Sequence, residues 1–137
     1  MHTLDNSHTN TAKDFGVIVD DLNRVGQLIS SSTIKNAPDP IKQVLAPASD
    51  VFLGGKMVRP ALVILSGKIC GVICEDHIKV GSIFEIFHNA TLLHDDVIDE
   101  GKTRRGKPAF NILTNNETAV LVGDWFLTTV FSMCSGL

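Results

Sequence analysis

The chain has 137 residues, 44% hydrophobic and 20% charged, a composition that suits a globular fold with a sizeable core and excludes bulk disorder. A formal net charge of −3 provides no basic field for nucleic acid or an anionic membrane, so any anionic ligand must be held by locally clustered cations. No apolar run approaches the ~18 residues that cross a bilayer, so no stable membrane insertion is expected.

Residues 1–13 are polar, contain Asp5 and lack Arg, which matches neither a secretory segment nor an Arg-rich transit peptide; they read as a flexible tail ahead of one domain over 14–137. Between Phe15 and Ile29, the apolar residues Val17, Ile18, Leu22, Val25, Leu28 and Ile29 recur at spacings that predict an amphipathic helix ending near Ser30–Ser32. Pro38 and Pro40 punctuate a connection, and Ile41 to Leu53 offers a second helix, with Pro47 as a kink or boundary and Gly54–Gly55 as its close. After Pro60, Ala61 to Ile69 is almost wholly apolar and reads as a buried helix. Val72–His77 is a short break, Ile78 to about Glu100 is the longest periodic stretch, and Gly101, Gly106 and Pro108 predict a loop after it. Ala119 to Met133 completes an all-α pattern.

The long helix has two distinct faces. At about 100° per position, Ile83, Ile86, Ala90, Leu93 and Val97 form a packing stripe, while His88, Leu92, Asp95 and Asp99 lie opposite, with Thr91 at the edge and Asp96 to the side. Asp95 and Asp99 are an i,i+4 pair of like charges, which destabilises a bare helix and calls for compensation. Clustered carboxylate oxygens suit Mg²⁺, which takes one or two protein carboxylates and fills its octahedron with water and phosphate. A solvated acidic face is the plainer explanation of such a pair. Cations on both sides of it favour the first: Lys56 and Arg59 upstream, and Lys102, Arg104, Arg105 and Lys107 downstream, offer guanidinium forks and ammonium charges for diphosphate oxygens.

Three further features have ordinary explanations. Cys70, Cys74 and Cys134 are odd in number with no secretory signal ahead of them, which points to reduced thiols and a cytoplasmic setting. Cys70, Cys74 and His77 have no fourth ligand nearby, so a zinc site is not expected. His94 reads as a hydrogen-bonded structural histidine, Trp125 and Phe126 as core, and Asp124 as a residue that could orient a neighbouring cation.

The strings GGKMVRP (54–60), FHNATLLHDDVIDEGKTRRGKP (87–108) and VLVGDW (120–125) resemble the trans-type polyprenyl diphosphate synthases, in that family's order and from about residue 15 onward. The resemblance implies an isoprenoid-synthase helical bundle, here its N-terminal part, that condenses isopentenyl diphosphate with an allylic diphosphate, uses Mg²⁺ and pairs as a homodimer when full length. It assigns Asp95 and Asp99, assisted by Asp96, to the metal on the allylic diphosphate, and Arg104 to that same diphosphate. Lys56, Arg59, His88 and Arg105 match isopentenyl diphosphate binders, and Met57 stands where the family commonly has another basic residue. Family members are longer and carry a second aspartate-rich motif that this sequence lacks, which implies a truncated chain, inactive alone. A non-catalytic diphosphate-binding subunit and a class I terpene cyclase are the alternatives. The intact Asp95, Asp99, Arg104 and Arg105 count against a decayed subunit, and the second cationic cluster counts against a cyclase, which has no second diphosphate to bind. In this family, bulky residues four or five positions before the first aspartate floor the product cavity. Ala90 and Thr91 are small, which implies products longer than farnesyl diphosphate; Phe87 and Phe84, the latter roughly 16 Å deeper, are either a later floor or packing residues against a neighbouring helix.

Overall fold

The computed structural model describes residues 16–46 and 55–137; the expected tail, the Pro47 boundary and Gly54 lie outside them. A 3₁₀ turn, Gly16–Ile18, leads into α1 (Val19–Ser30), whose first turn carries Asp20 and Asp21 where the helix dipole favours anions. The helix widens at Ser31–Lys35 into a π turn, so that Asn36 N donates to Ser31 O at 3.1 Å. The Ser31 and Thr33 hydroxyls donate back to Leu28 O and Ile29 O, the kind of bonding that distorts a helix. Pro38 has no N–H to continue the π turn to the Thr33 carbonyl, and Trp125 Nε1 donates there instead, at 2.9 Å.

Pro38 precedes α2 (Asp39–Leu45), and α3 (Val58–Cys70) starts from Met57, which is held in the left-handed region at φ 52°. Pro60 sits in the first turn of α3, where its missing N–H costs nothing. The central element is α4 (Glu75–Ile98), packed against α1, α3 and a final helix, α6 (Asn116–Cys134). α3 meets α4 at Gly81, where a Cβ would make ordinary van der Waals contact with Pro60 at 3.4 Å and Val25 at 3.6 Å. Ile86, Ala90 and Leu93 are buried as the packing stripe requires, with Ile83 and Val97 partly buried beside them.

α4 starts with a reciprocal cap between Cys74 and His77, with Cys74 N donating to His77 Nδ1 at 3.2 Å. It ends in a Schellman arrangement: Glu100 N donates to Val97 O at 3.3 Å and Gly101 N to Asp96 O at 2.8 Å, with Glu100 at φ 52°. The segment expected as a loop is a hairpin, β1 (Thr103–Arg104) paired antiparallel with β2 (Lys107–Pro108). Arg105 and Gly106 form its two-residue turn at φ 51° and 77°, the backbone twist that matches paired strands. A short helix, α5 (Phe110–Leu113), follows and buries Phe110 and Asn111.

One expectation needs correction. The apolar composition of Ala61 to Ile69 predicted a buried helix, but Ala61 and Ile64 face the core while Leu62 and Ile69 are 61% and 86% exposed. Described neighbours cover only one side of it. The all-α expectation holds, apart from the two short strands.

Candidate functional site

Three elements converge on one face of α4. The first turn of α3 brings Arg59 and, just ahead of it, Lys56; α4 contributes Glu85, His88, Asp95, Asp96 and Asp99; the hairpin brings Arg104 and Arg105. Asp95 and Asp99 are exposed one turn apart, and Asp99 N donates to Asp95 O at 2.8 Å, so the last helical bond holds both carboxylate-bearing residues in register. Asp96 differs from both. It is 7% exposed and turned toward the hairpin, where Arg104 Nε and Nη2 donate to its two oxygens at 2.8 and 2.7 Å. This bidentate pairing holds the Arg104 guanidinium above its ordinary pKa, chiefly through the hydrogen bond to Asp96, and leaves the Nη1 donors to other partners. From α5, Asn111 Nδ2 donates to Asp96 O at 3.4 Å.

Some ten residues down the helix from Asp95, about 15 Å at its rise, a second cluster forms. Glu85 is 4% exposed, and burial pushes its carboxyl pKa up against the pull of Arg59 and Arg105. Gly55 leaves the space in which these groups meet: a Cβ there would lie 2.9 Å from Glu85 Oε1 and 3.5 Å from Arg105 Nη1. One turn along, His88 is partly buried, and desolvation, then Arg59, Arg105 and Arg104, lower its pKa against Asp95. The two cationic clusters, Arg59 upstream and Arg105 downstream, thus act on the same two side chains. Lys56 is exposed next to Gly55 in the chain, and Met57 is partly buried, its Cε 3.6 Å from the Cβ position of Gly26.

The sequence reading missed Glu85 and the partnership of Asp96 with Arg104. Spacing carried a signal for the first, since Glu85 is three residues before His88 and shares its face. Met57, Glu100 and Arg105 are the non-glycine residues with positive φ among the described residues, and each adjoins one of these clusters. His94 Nε2 lies 3.2 Å from Val120 O and 3.5 Å from Asp124, which fits the structural role expected of that histidine. Cys74 Sγ contacts His77 Nδ1 at 3.2 Å, within the helix cap.

Comparison with known proteins decides what kind of bundle this is. Residues 41–137 match the polyprenyl synthetase family. The chain belongs to that family. It is similar to the all-trans-nonaprenyl-diphosphate synthase (geranyl-diphosphate specific) of Rhodobacter capsulatus, 46% identical over 84 residues that cover 61% of this chain and 26% of that protein. Over the same span it is 42% identical to the octaprenyl diphosphate synthase of Escherichia coli. Among solved structures, a decaprenyl diphosphate synthase from Rhodobacter capsulatus superposes with a TM-score of 0.79 at 32% identity, covering 94% of this chain and 38% of that one. A polyprenyl synthase from Caulobacter crescentus, complexed with calcium and isoprenyl diphosphate, superposes with a TM-score of 0.80 at 28% identity, covering 93% and 38%. The matched span is about a quarter of the length of the first curated relatives. Among the described residues no helix is long and apolar enough to cross a membrane.

Proposed function

We propose that this chain supplies the diphosphate-binding part of a trans-prenyltransferase that joins isopentenyl diphosphate to an allylic diphosphate. The observation that carries the reading is the convergence of Arg59 and Arg105 beside His88, two helical turns below the exposed Asp95–Asp99 pair. Two anion sites along one face match a reaction with two diphosphate substrates. The upper pair fits Mg²⁺: among the described residues no three His, Cys, Asp or Glu side chains form a metal centre by themselves, and two hard carboxylates with phosphate oxygens are a donor set that this ion takes. When bound, the ion offsets charge on the leaving diphosphate.

The chain's own residues do the remaining work. Asp95 and Asp99 present carboxylates at the helix end, and Asp96 orients Arg104 toward the same region, so that its Nη1 donors meet diphosphate oxygens. Arg59, Arg105, Lys56 and His88 hold the second diphosphate in the lower cluster. Fixed cations at both ends stabilise charge as the allylic C–O bond breaks, while the apolar flank around Phe84 and Phe87, each about half exposed, lies where the hydrocarbon tails run. A terpene cyclase fits less well, because the Arg59–Arg105 cluster serves a second diphosphate. The matched span is about a quarter of the length of the curated relatives, and turnover and homodimer pairing are proposed for the longer protein.

Binding separates the two sites. Calorimetric titration of the chain with isopentenyl diphosphate is expected to give an affinity that needs no Mg²⁺ and drops in Arg59→Ala and Lys56→Ala. With an allylic diphosphate, a Mg²⁺-dependent component disappears in Asp95→Ala and Asp99→Ala. Identical titrations for all four variants and the native chain refute the assignment.

A further inference from the structure

The buried carboxylate of Glu85 has no place in the anion-binding set described above. Its Oε2 is buried and accepts no hydrogen bond, while its Oε1 lies at the point where Gly55 and the Arg105 guanidinium meet. A buried carboxyl oxygen without a hydrogen-bond partner is costly, so its presence beside a site points to work done there. It cannot bind a diphosphate directly, since anion would face anion. Arg59 and Arg105 are brought to one place from α3 and from a hairpin turn whose residue 105 is held at positive φ, and two like charges so placed repel. A carboxylate whose field reaches both offsets that repulsion, and its Oε1, beside the Arg105 guanidinium at Gly55, limits where that side chain can point.

We propose that Glu85 is a positioning residue that holds Arg59 and Arg105 as a preformed clamp for the diphosphate of the non-allylic substrate. The inference rests on the reading of the lower cluster given above. Holding the clamp ready removes the ordering that two long side chains otherwise undergo on binding. Glu85 then acts through the arginines, and its direct effect on the ligand is the opposite one, a weak repulsion.

That difference in sign provides the test. Isopentenyl diphosphate is titrated into the native chain and Glu85→Gln, and into both again in an Arg59→Ala/Arg105→Ala background, with circular dichroism and Trp125 fluorescence confirming the fold. In the native background Glu85→Gln is expected to weaken binding about tenfold, the scale of one lost charge-assisted contact. Without the arginines the same substitution leaves affinity unchanged or improves it, because only the repulsion is removed. If Glu85→Gln does not fold, Glu85→Asp, which keeps the charge but shortens its reach, is expected to weaken binding in the first background only. Unchanged or tighter binding by the folded variant in the native background, or equal weakening in both backgrounds, overturns the proposal. No binding by the native chain overturns the reading of the lower cluster itself, and the inference with it.

Discussion

Removing Arg104 should cost stability before it costs anything else. Asp96 has a side chain only 9% exposed and Arg104 one 26% exposed, and two hydrogen bonds of 2.8 and 2.7 Å join them. Breaking a fully buried pair by removing one partner costs about 3–5 kcal/mol, because the remaining charge stays buried. A guanidinium with a quarter of its surface in water recovers part of that by screening, which brings Arg104→Ala to about 2–3 kcal/mol. Asp96→Asn keeps an acceptor for one of the two bonds and should cost about 1–2 kcal/mol. In the double variant Arg104→Met/Asp96→Asn no charge is left uncompensated, so the loss should be no larger than that of Arg104→Ala alone. Trp125, the only tryptophan, reports unfolding in urea through its bond to the Thr33 carbonyl. A loss below about 0.5 kcal/mol for Arg104→Ala, or full additivity in the cycle, would falsify the claim that this pair holds the hairpin on α4.

Three more outcomes follow from named groups. His88 has a pKa depressed below 6.5 by burial and by three guanidinium groups; a bound diphosphate offsets those charges and raises it, so the complex takes up a proton and affinity gains as pH falls through that interval. Titrations over roughly pH 5 to 7.5 should show this gain relative to His88→Gln, and parallel profiles for the two proteins exclude it. Glu100→Gly replaces an exposed left-handed residue at the end of α4 and should stabilise the chain by about 0.5–1 kcal/mol in urea unfolding, whereas a loss shows that the Glu100 side chain holds the turn. In an active enzyme carrying this segment, Thr91→Phe should shorten the prenyl product seen by chromatography. Ala90→Phe should instead destabilise, since Ala90 is fully buried in the core, and an unchanged product with Thr91→Phe counts against the tail running along this face.

The long helix was legible because its apolar period is strong over many turns. Its packing stripe and its His88–Asp95–Asp99 face are both where about 100° per residue places them. Short elements were not. The hairpin strands span two residues each, too few to show alternation, and the turn is Arg-Gly where a paired turn of this kind ordinarily has Asn-Gly or Asp-Gly. The start of α6 was missed by three residues although Asn115, whose side chain accepts from Thr118 N at 2.7 Å, is a standard cap, because Asn116–Thr118 carry no apolar signal. Asp96 was placed beside its neighbours as a metal helper. Its side-chain partner in the structure, Arg104, lies eight residues on, reached only through the reversal at Glu100–Gly101, which helical periodicity cannot show. The exposed side of α3 was hidden for another reason: composition reports how apolar a helix is, and its neighbours decide which faces are covered.

Backbone strain links these misses to the site. Each left-handed non-glycine residue costs about 1–2 kcal/mol, and Met57, Glu100 and Arg105 each occupy a junction where a simpler sequence would use glycine. What they have in common is the position they set: Met57 turns the chain between Lys56 and the first turn of α3 that carries Arg59, Glu100 reverses it after Asp99, and Arg105 is itself in the turn beside Glu85. Compensation is local in each case, from the bond of Ala61 N to Met57 O, the paired amides that close α4, and the hold of Asp96 on Arg104. A hairpin chosen for stability alone would not place arginine at positive φ above a buried carboxylate. That it does so here is what the proposed binding of an anion at this turn would explain.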